Sequence, residues 1–138
     1  MIRRAGPADM DAVFDIRRVV FIEGQNVPEH EERDGKDAEA IHLIAFDGEK
    51  PVGTARLLVN EGVGKIGRVA VLAEMRGKGT GKAIMLAALA ELRKEGAAKA
   101  KLAAQTHALA FYEALGFVAE GPEFLDAGIL HRDMTRAL

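Results

Sequence analysis

Residues 76–81, Arg-Gly-Lys-Gly-Thr-Gly, constrain this chain more than any other stretch. The run before them is apolar and strand-like: Ile66, Val69, Ala70, Val71 and Leu72. The run after them, Ile84, Met85, Ala88, Leu89 and Leu92, keeps the spacing of one helical face. A strand that feeds a glycine-rich turn and then a helix leaves backbone N–H groups without partners at the helix start. Those donors and the positive end of the helix dipole favour phosphate. Glycine lets the backbone approach a ligand and take positive φ.

Two familiar phosphate patterns fail here. A P-loop needs Gly, four residues, then Gly-Lys-Ser/Thr. Gly81-Lys82 fits, but Arg76 stands at the first position and Ala83 at the last, so the Mg²⁺-binding hydroxyl is missing. A dinucleotide fingerprint begins well at Gly77 and Gly79 but meets Lys82 where its third glycine belongs.

The 138 residues predict one domain, 1–138, long enough for a hydrophobic core. A net charge of -2 predicts neither a nucleic-acid nor an anionic-membrane partner. The absence of cysteine excludes disulfides, thiolate metal sites and a cysteine nucleophile. There is no apolar run of about 20 residues to span a membrane. The start, Met-Ile-Arg-Arg-Ala-Gly-Pro, lacks an apolar signal region, so a cytoplasmic protein is expected.

In chain order, Ile2–Arg4 reads as a short strand, and Pro7 opens an amphipathic helix carrying Arg17 and Arg18, which read as solvated charges unless Arg17 turns inward to meet an anionic group. Gly24 and Pro28 break it, and residues 29–34 read as a solvated acidic loop or a short second helix. Glu29, His30, Glu31 and Glu32 are consecutive and lack metal-ligand spacing, so no metal is expected. Strands over 41–46, 52–59 and 66–72, joined by Asp47-Gly48 and by 60–64, form a meander. A helix over 79–94 ends at Gly96. Then come a strand over 99–105, a helix over 108–115, a strand over 117–119, a loop over 124–128 and a last strand over 129–135. This order predicts an α/β fold, a mixed and mostly antiparallel sheet with helices on both faces.

The second half carries more specific patterns. Ala110-Phe111-Tyr112-Glu113-Ala114-Leu115-Gly116-Phe117, with Ala108 before it, and the loop residues Arg76, Gly79 and Gly81 resemble motifs of the GCN5-related N-acetyltransferase (GNAT) family. Val20-Phe21-Ile22-Glu23-x-Gln25-x-Val27-Pro28, Ile66-Gly67-Arg68-Val69-Ala70-Val71 and Phe124-Leu125-x-x-Gly128-Ile129-x-His131 are similar to its bacterial ElaA-like and YjcF-like branch. Leu130 departs from that branch, which has Pro before the histidine, and Gln105 stands where the family often has Asn.

The resemblance implies acetyl transfer from acetyl-CoA to a primary amine of a small molecule or peptide, with homodimers known in the family. It implies that the strand at Val69, Ala70 and Val71 holds the acyl and pantetheine groups, with the N–H groups of Ala70 and Val71 as donors to them and to the oxyanion. Arg76, Gly77, Lys78, Gly79, Thr80, Gly81 and Lys82 would hold the pyrophosphate, with Gln105 and Phe111 beside the arm. Tyr112, the one tyrosine, would protonate the leaving thiolate, or else it is packed between Phe111 and Phe117. A base must take the amine's proton, and the unperturbed range of histidine suits that work. His131 is the first choice, with a structural strand histidine as the competing reading; Glu23 acting through water is the second. Arg17, Arg56 and Arg68 are candidates for an anionic part of the acceptor, whereas the acidic loop favours a cationic one. The rival functions are a non-catalytic acyl-CoA-binding module of the same fold and a nucleotide-binding protein, which Ala83 opposes.

Overall fold

The computed structural model describes residues 1–138. Strand β1 (Ile2–Arg4) leads through a 3₁₀ turn (Pro7–Asp9) into helix α1 (Met10–Arg17). A π-helical run (Arg18–Glu23), a one-turn helix α2 (Glu29–Glu32) and a 3₁₀ turn (Asp37–Glu39) follow. The meander is β2 (Ile41–Asp47), β3 (Lys50–Asn60) and β4 (Val63–Val71). Then come α3 (Thr80–Lys94), β5 (Lys99–Gln105), α4 (Leu109–Glu113), β6 (Val118–Asp126) and β7 (Ile129–Ala137).

All seven strands join one sheet in the order β1-β2-β3-β4-β5-β7-β6. Every neighbouring pair is antiparallel except β4 and β5. Helix α3 buries Ile84, Met85, Ala88, Leu89 and Leu92 on one face, against Leu57, Ile66, Leu102, Phe117 and Met134. On the opposite face Ile16 of α1 and Val20 of the π-helical run pack on Ala70. The mixed, mostly antiparallel sheet covered on both faces is the expected architecture. Helix α3 comes close to β4 because Gly64 has no side chain: a Cβ there would lie 2.4 Å from Leu92 Cδ2 and 2.9 Å from its Cγ.

The end of the chain departs from the expected order. The loop read over 124–128 is largely strand, because β6 continues to Asp126. Its ladder with β7 shifts register between Glu120 and Phe124, where Gly121 takes φ 76 and Pro122 follows. Proline and glycine end a central strand, but β6 is an edge strand, where a bulge absorbs both.

The segment after α1 is pinned to the sheet by charge. Arg17 is 1% exposed; its Nε donates to Glu32 Oε2 at 2.8 Å and its Nη1 to Asp37 Oδ1 at 2.7 Å. Arg56 on β3 forks onto Asp34, with Nη1 donating to Oδ1 at 2.8 Å and Nη2 to Oδ2 at 2.9 Å. Arg68 on β4 places Nε 3.0 Å from Glu32 Oε2, and its Nη2 donates to the Glu32 carbonyl at 3.1 Å. His42 donates through Nε2 to the Asp37 carbonyl at 2.9 Å.

Three guanidinium groups thus meet the carboxylates Glu32, Asp34 and Asp37, and the formal charges cancel. This corrects two expectations. Of the two readings of residues 29–34 the short second helix holds, at Glu29–Glu32, and the solvated acidic loop does not, since Glu32 is 2% exposed. Arg17 and Arg56 do not wait for an acceptor anion, since internal carboxylates occupy them. Partners so far apart in sequence leave no periodic signal.

Two measurements test this frame. Gly64→Ala forces Leu92 from a fully buried position and is expected to cost about 1–3 kcal/mol. That is a fall in melting temperature on the order of 3–12 °C. The second is acid stability. The Arg56 hydrogen bonds hold the Asp34 carboxyl well below the usual carboxylate range against desolvation. Burial raises the Asp37 carboxyl, but Arg17 and Arg56 outweigh it and leave it low. A carboxyl depressed by folding stabilises above its unfolded value, near pH 3.9, and that contribution is lost as pH falls from there toward the folded value. Asp34→Asn is expected to melt lower at pH 7 and to lose less stability than the wild type on acidification below about pH 4. An unchanged acid slope contradicts the network's role.

Candidate active site

The parallel pair β4–β5 is bonded at one end only, from Val63↔Lys99 to Lys65↔Lys101. Beyond that the strands separate, and a slot opens between the last part of β4 and the end of β5 at Gln105. A bulge in β4 accompanies the separation. From Thr54 to Arg56 on β3, the partner positions step from Ala70 to Gly67, so β4 carries one extra residue. Within it Arg68 takes φ 52, a left-handed conformation that arginine rarely adopts.

Ladder alternation sorts the backbone groups along the slot. The Leu72 N–H donates to the Val52 carbonyl at 2.9 Å, so the pair Thr54↔Ala70 also bonds strand to strand. The Ala70 N–H therefore points to β3, and the Val71 N–H points into the slot. Ala70 was expected to present its own N–H to a ligand; instead its methyl supports Ile16 and Val20. Val69 lies beside the bulge.

The glycine loop stands at one mouth of this slot. Among backbone bonds in turns, loops and caps, none is donated by the N–H groups of Gly77, Lys78, Gly79, Thr80, Gly81 or Lys82. Gly77 takes φ 78 and Gly79 φ 81, so both need glycine for the turn. A Cβ on Gly81 would sit 3.6 Å from Phe111 Cζ and 3.9 Å from Val71 Cγ2, which brings loop, slot and α4 together. Arg76 turns its Nε back to the Val71 carbonyl at 3.3 Å. The 15 residues of α3 add their dipole behind the free donors. An anionic group joined to a long, narrow arm fits this combination, as a CoA pyrophosphate and pantetheine would.

Tyr112 lies on the α3 face, packed on the main core. Its ring meets Phe111 edge-on at 5.0 Å and Phe117 at 6.1 Å. Burial raises the phenol pKa above its ordinary value, which keeps the hydroxyl protonated and able to donate.

His131 lies on the other face. It pairs with Gln105 across β5 and β7, and directly opposed residues share a face. Met134, three positions on, belongs to the α3 core, so period-2 alternation turns His131 toward α1. Its Nδ1 donates to the Ile129 carbonyl at 2.7 Å, which leaves Nε2 as the accepting nitrogen of the neutral ring. Phe124 stacks on the ring at 5.9 Å.

Glu23 is exposed and paired with Arg18, with no hydrogen bond to His131. Gln25, Phe124 and Ile129 were not singled out individually from the sequence. The first bonds Gln105 from across the slot, and the other two hold the His131 ring. The signal for Gln25 was its place in the Glu23-x-Gln25-x-Val27-Pro28 segment that carries part of the family resemblance.

The comparisons with known proteins agree with this geometry. The model of the acetyltransferase (GNAT) domain matches residues 18–138. An uncharacterized N-acetyltransferase of Bacillus subtilis, YjcF, is 43% identical over 124 residues, covering 89% of each chain. The crystal structure of an acyl-CoA N-acyltransferase from Pseudomonas aeruginosa superposes with a TM-score of 0.87 at 30% identity, over 99% of this chain and 98% of that one. Escherichia coli ElaA shares the fold, with a TM-score of 0.88 at 24% identity over 99% of both chains. A slot between parting strands, a loop of free N–H donors and a family match over residues 18–138 converge: the chain belongs to the GNAT family of acetyltransferases, with YjcF among its relatives.

Proposed function

We propose that this chain transfers the acetyl group of acetyl-CoA to a primary amine of a small molecule or peptide by direct attack. The observation that carries the reading is a slot with different chemistry on its two faces. The anion loop and Tyr112 lie on the α3 face, and His131 on the α1 face. An amine and a thioester brought from opposite sides meet between β4 and β5 without a covalent enzyme intermediate.

In this reading the N–H groups of Gly77 to Lys82 hold the pyrophosphate, the Lys78 and Lys82 ammonium groups add charge, and Phe111 and Gln105 flank the arm. Acetyl-CoA would supply an acyl group activated as a thioester. The Val71 N–H stabilises the negative charge that develops on the acyl oxygen. His131 Nε2 accepts the proton of the amine, whose neutral form is only about one part in a few thousand at pH 7 for a lysine-like group. The Tyr112 hydroxyl donates to the thiolate. Glu23 is a weaker candidate base, being paired with Arg18.

The acceptor's charge is not set by the arginines, since Glu32, Asp34 and Asp37 neutralise them; Arg68, 24% exposed, is the one with a free face. The same cancellation and the net charge of -2 support a small amine over nucleic acid. No helix is long and apolar enough to cross a membrane. A cytoplasmic setting, one domain over 1–138, and a homodimer formed at a free sheet edge such as β6 complete the proposal.

Kinetics with a panel of amines, following free-thiol release, test the assignment. His131→Ala is expected to lower kcat by about 10²–10⁴ and leave acetyl-CoA affinity unchanged. Wild-type kcat in that variant removes His131 from the mechanism. Tyr112→Phe keeps the ring packing and is expected to lower kcat by about tenfold or more, with the melting temperature held. Equal losses of kcat and stability would mean that the hydroxyl serves packing alone.

A further inference from the structure

One contact spans the slot, and its Gln25 half has no part in the chemistry above. Gln105 Nε2 donates to Gln25 Oε1 at 2.9 Å, and Gln25 Nε2 lies 3.4 Å from Gln105 Oε1. His107 Nε2 donates to that same Gln105 oxygen at 2.7 Å. The two glutamines are 80 positions apart in sequence. Gln25 is rooted on the β4 side, since the π-helical run before it packs Val20 and Phe21 on Ala70 and Leu72. Gln105 ends β5, four residues beyond the last β4–β5 pair at Lys101, and directly faces His131. The amide pair therefore closes the α1-face end of the slot beside the candidate base.

The backbone that presents Gln25 is unusual in two independent ways. The preceding Arg18–Glu23 run is π-helical, a form concentrated at functional sites. The residue after Gln25, Asn26, takes φ 56, and the Val27 N–H then donates to the Phe21 carbonyl at 3.0 Å to close the turn. Backbone held this way sets the direction of one side chain. Of the two amide contacts, one is short and one long, so the closure is held weakly enough for a ligand to displace it.

We propose that Gln25 is the gate of the acceptor path: a positioning residue that keeps water from the thioester until an amine takes the place of its amide. The inference rests on the acetyl-transfer reading and adds to it the control of the competing reaction. That reaction is hydrolysis: a water oxygen bonds to the acyl carbon, the carbon–sulfur bond breaks, and acetate and the free CoA thiol leave, one proton of the water on the thiol and the other released to solvent. Amine and water both have to part the pair; the amine then donates an N–H to Gln25 Oε1 and its larger frame holds the opening, whereas a single water does not.

The test needs no knowledge of the acceptor. Free-thiol release from acetyl-CoA is measured without amine for the wild type, Gln25→Ala and Gln25→Met, the last keeping the bulk without the hydrogen bonds. Calorimetric titration with acetyl-CoA accompanies each. Both variants are expected to bind acetyl-CoA as the wild type does and to release thiol about five- to tenfold faster, as fits the loss of one or two hydrogen bonds. With an accepted amine present, the ratio of transfer to hydrolysis is expected to fall by a similar factor. Unchanged hydrolysis in both variants with binding intact overturns the gate. A wild type that does not bind acetyl-CoA overturns the reading beneath it, and the gate with it.

Discussion

The parting of β4 from β5 after Lys65↔Lys101 is the constraint from which the rest of the molecule follows. A continuous ladder here would seal the sheet and leave no route between its faces. The strands separate because β4 carries an extra residue at Arg68, and the extra residue bends the strand and interrupts its pairing. The bulge has a second effect, since one added residue reverses which face later side chains occupy. Gly64 and Ile66 face α3, while Ala70 faces α1. Helix α3 sits tight on the paired end through Gly64, and its free N-terminal donors therefore stand at the open end.

Charge holds the other wall. Arg17, Arg56 and Arg68 fix the segment between α1 and β2 over the bulge through Glu32, Asp34 and Asp37. A buried pair of this kind gives modest net stability but penalises any arrangement that separates its members. Here it sets position: with the segment held, Gln25 reaches Gln105 across the slot. One face thus carries the loop of free N–H groups and Tyr112, the other the His131 ring.

Much of this was legible in the sequence where the signal is local. The glycine loop, the Asp47-Gly48 hairpin and the apolar face of α3 each follow from spacing and turn chemistry. What was not legible depends on partners distant in the chain. Arg17 read as a solvated helix charge, with an inward turn toward an anionic group as the lesser reading, and Glu32 as part of an acidic loop, because nothing local shows that they meet. Ala70 read as a slot donor because a bulge two residues earlier cannot be placed from composition, although it decides which N–H faces outward. The strand over 117–119 and the loop over 124–128 missed one long strand, because an edge strand that tolerates Gly121 and Pro122 cannot be told from a central one before the sheet is assembled. The Nδ1 bond of His131 to Ile129 is local but depends on the ring's rotamer, which sequence does not specify.

The central claim is that the slot and its loop hold an acyl-CoA, and the melting temperature with acetyl-CoA, with ATP–Mg²⁺ and with buffer tests it most directly. At 100 times its Kd a ligand stabilises by about 2.7 kcal/mol, several degrees for a domain of this size. The account predicts that shift with acetyl-CoA and none with ATP–Mg²⁺. A shift with ATP–Mg²⁺ alone, or with neither, would contradict it.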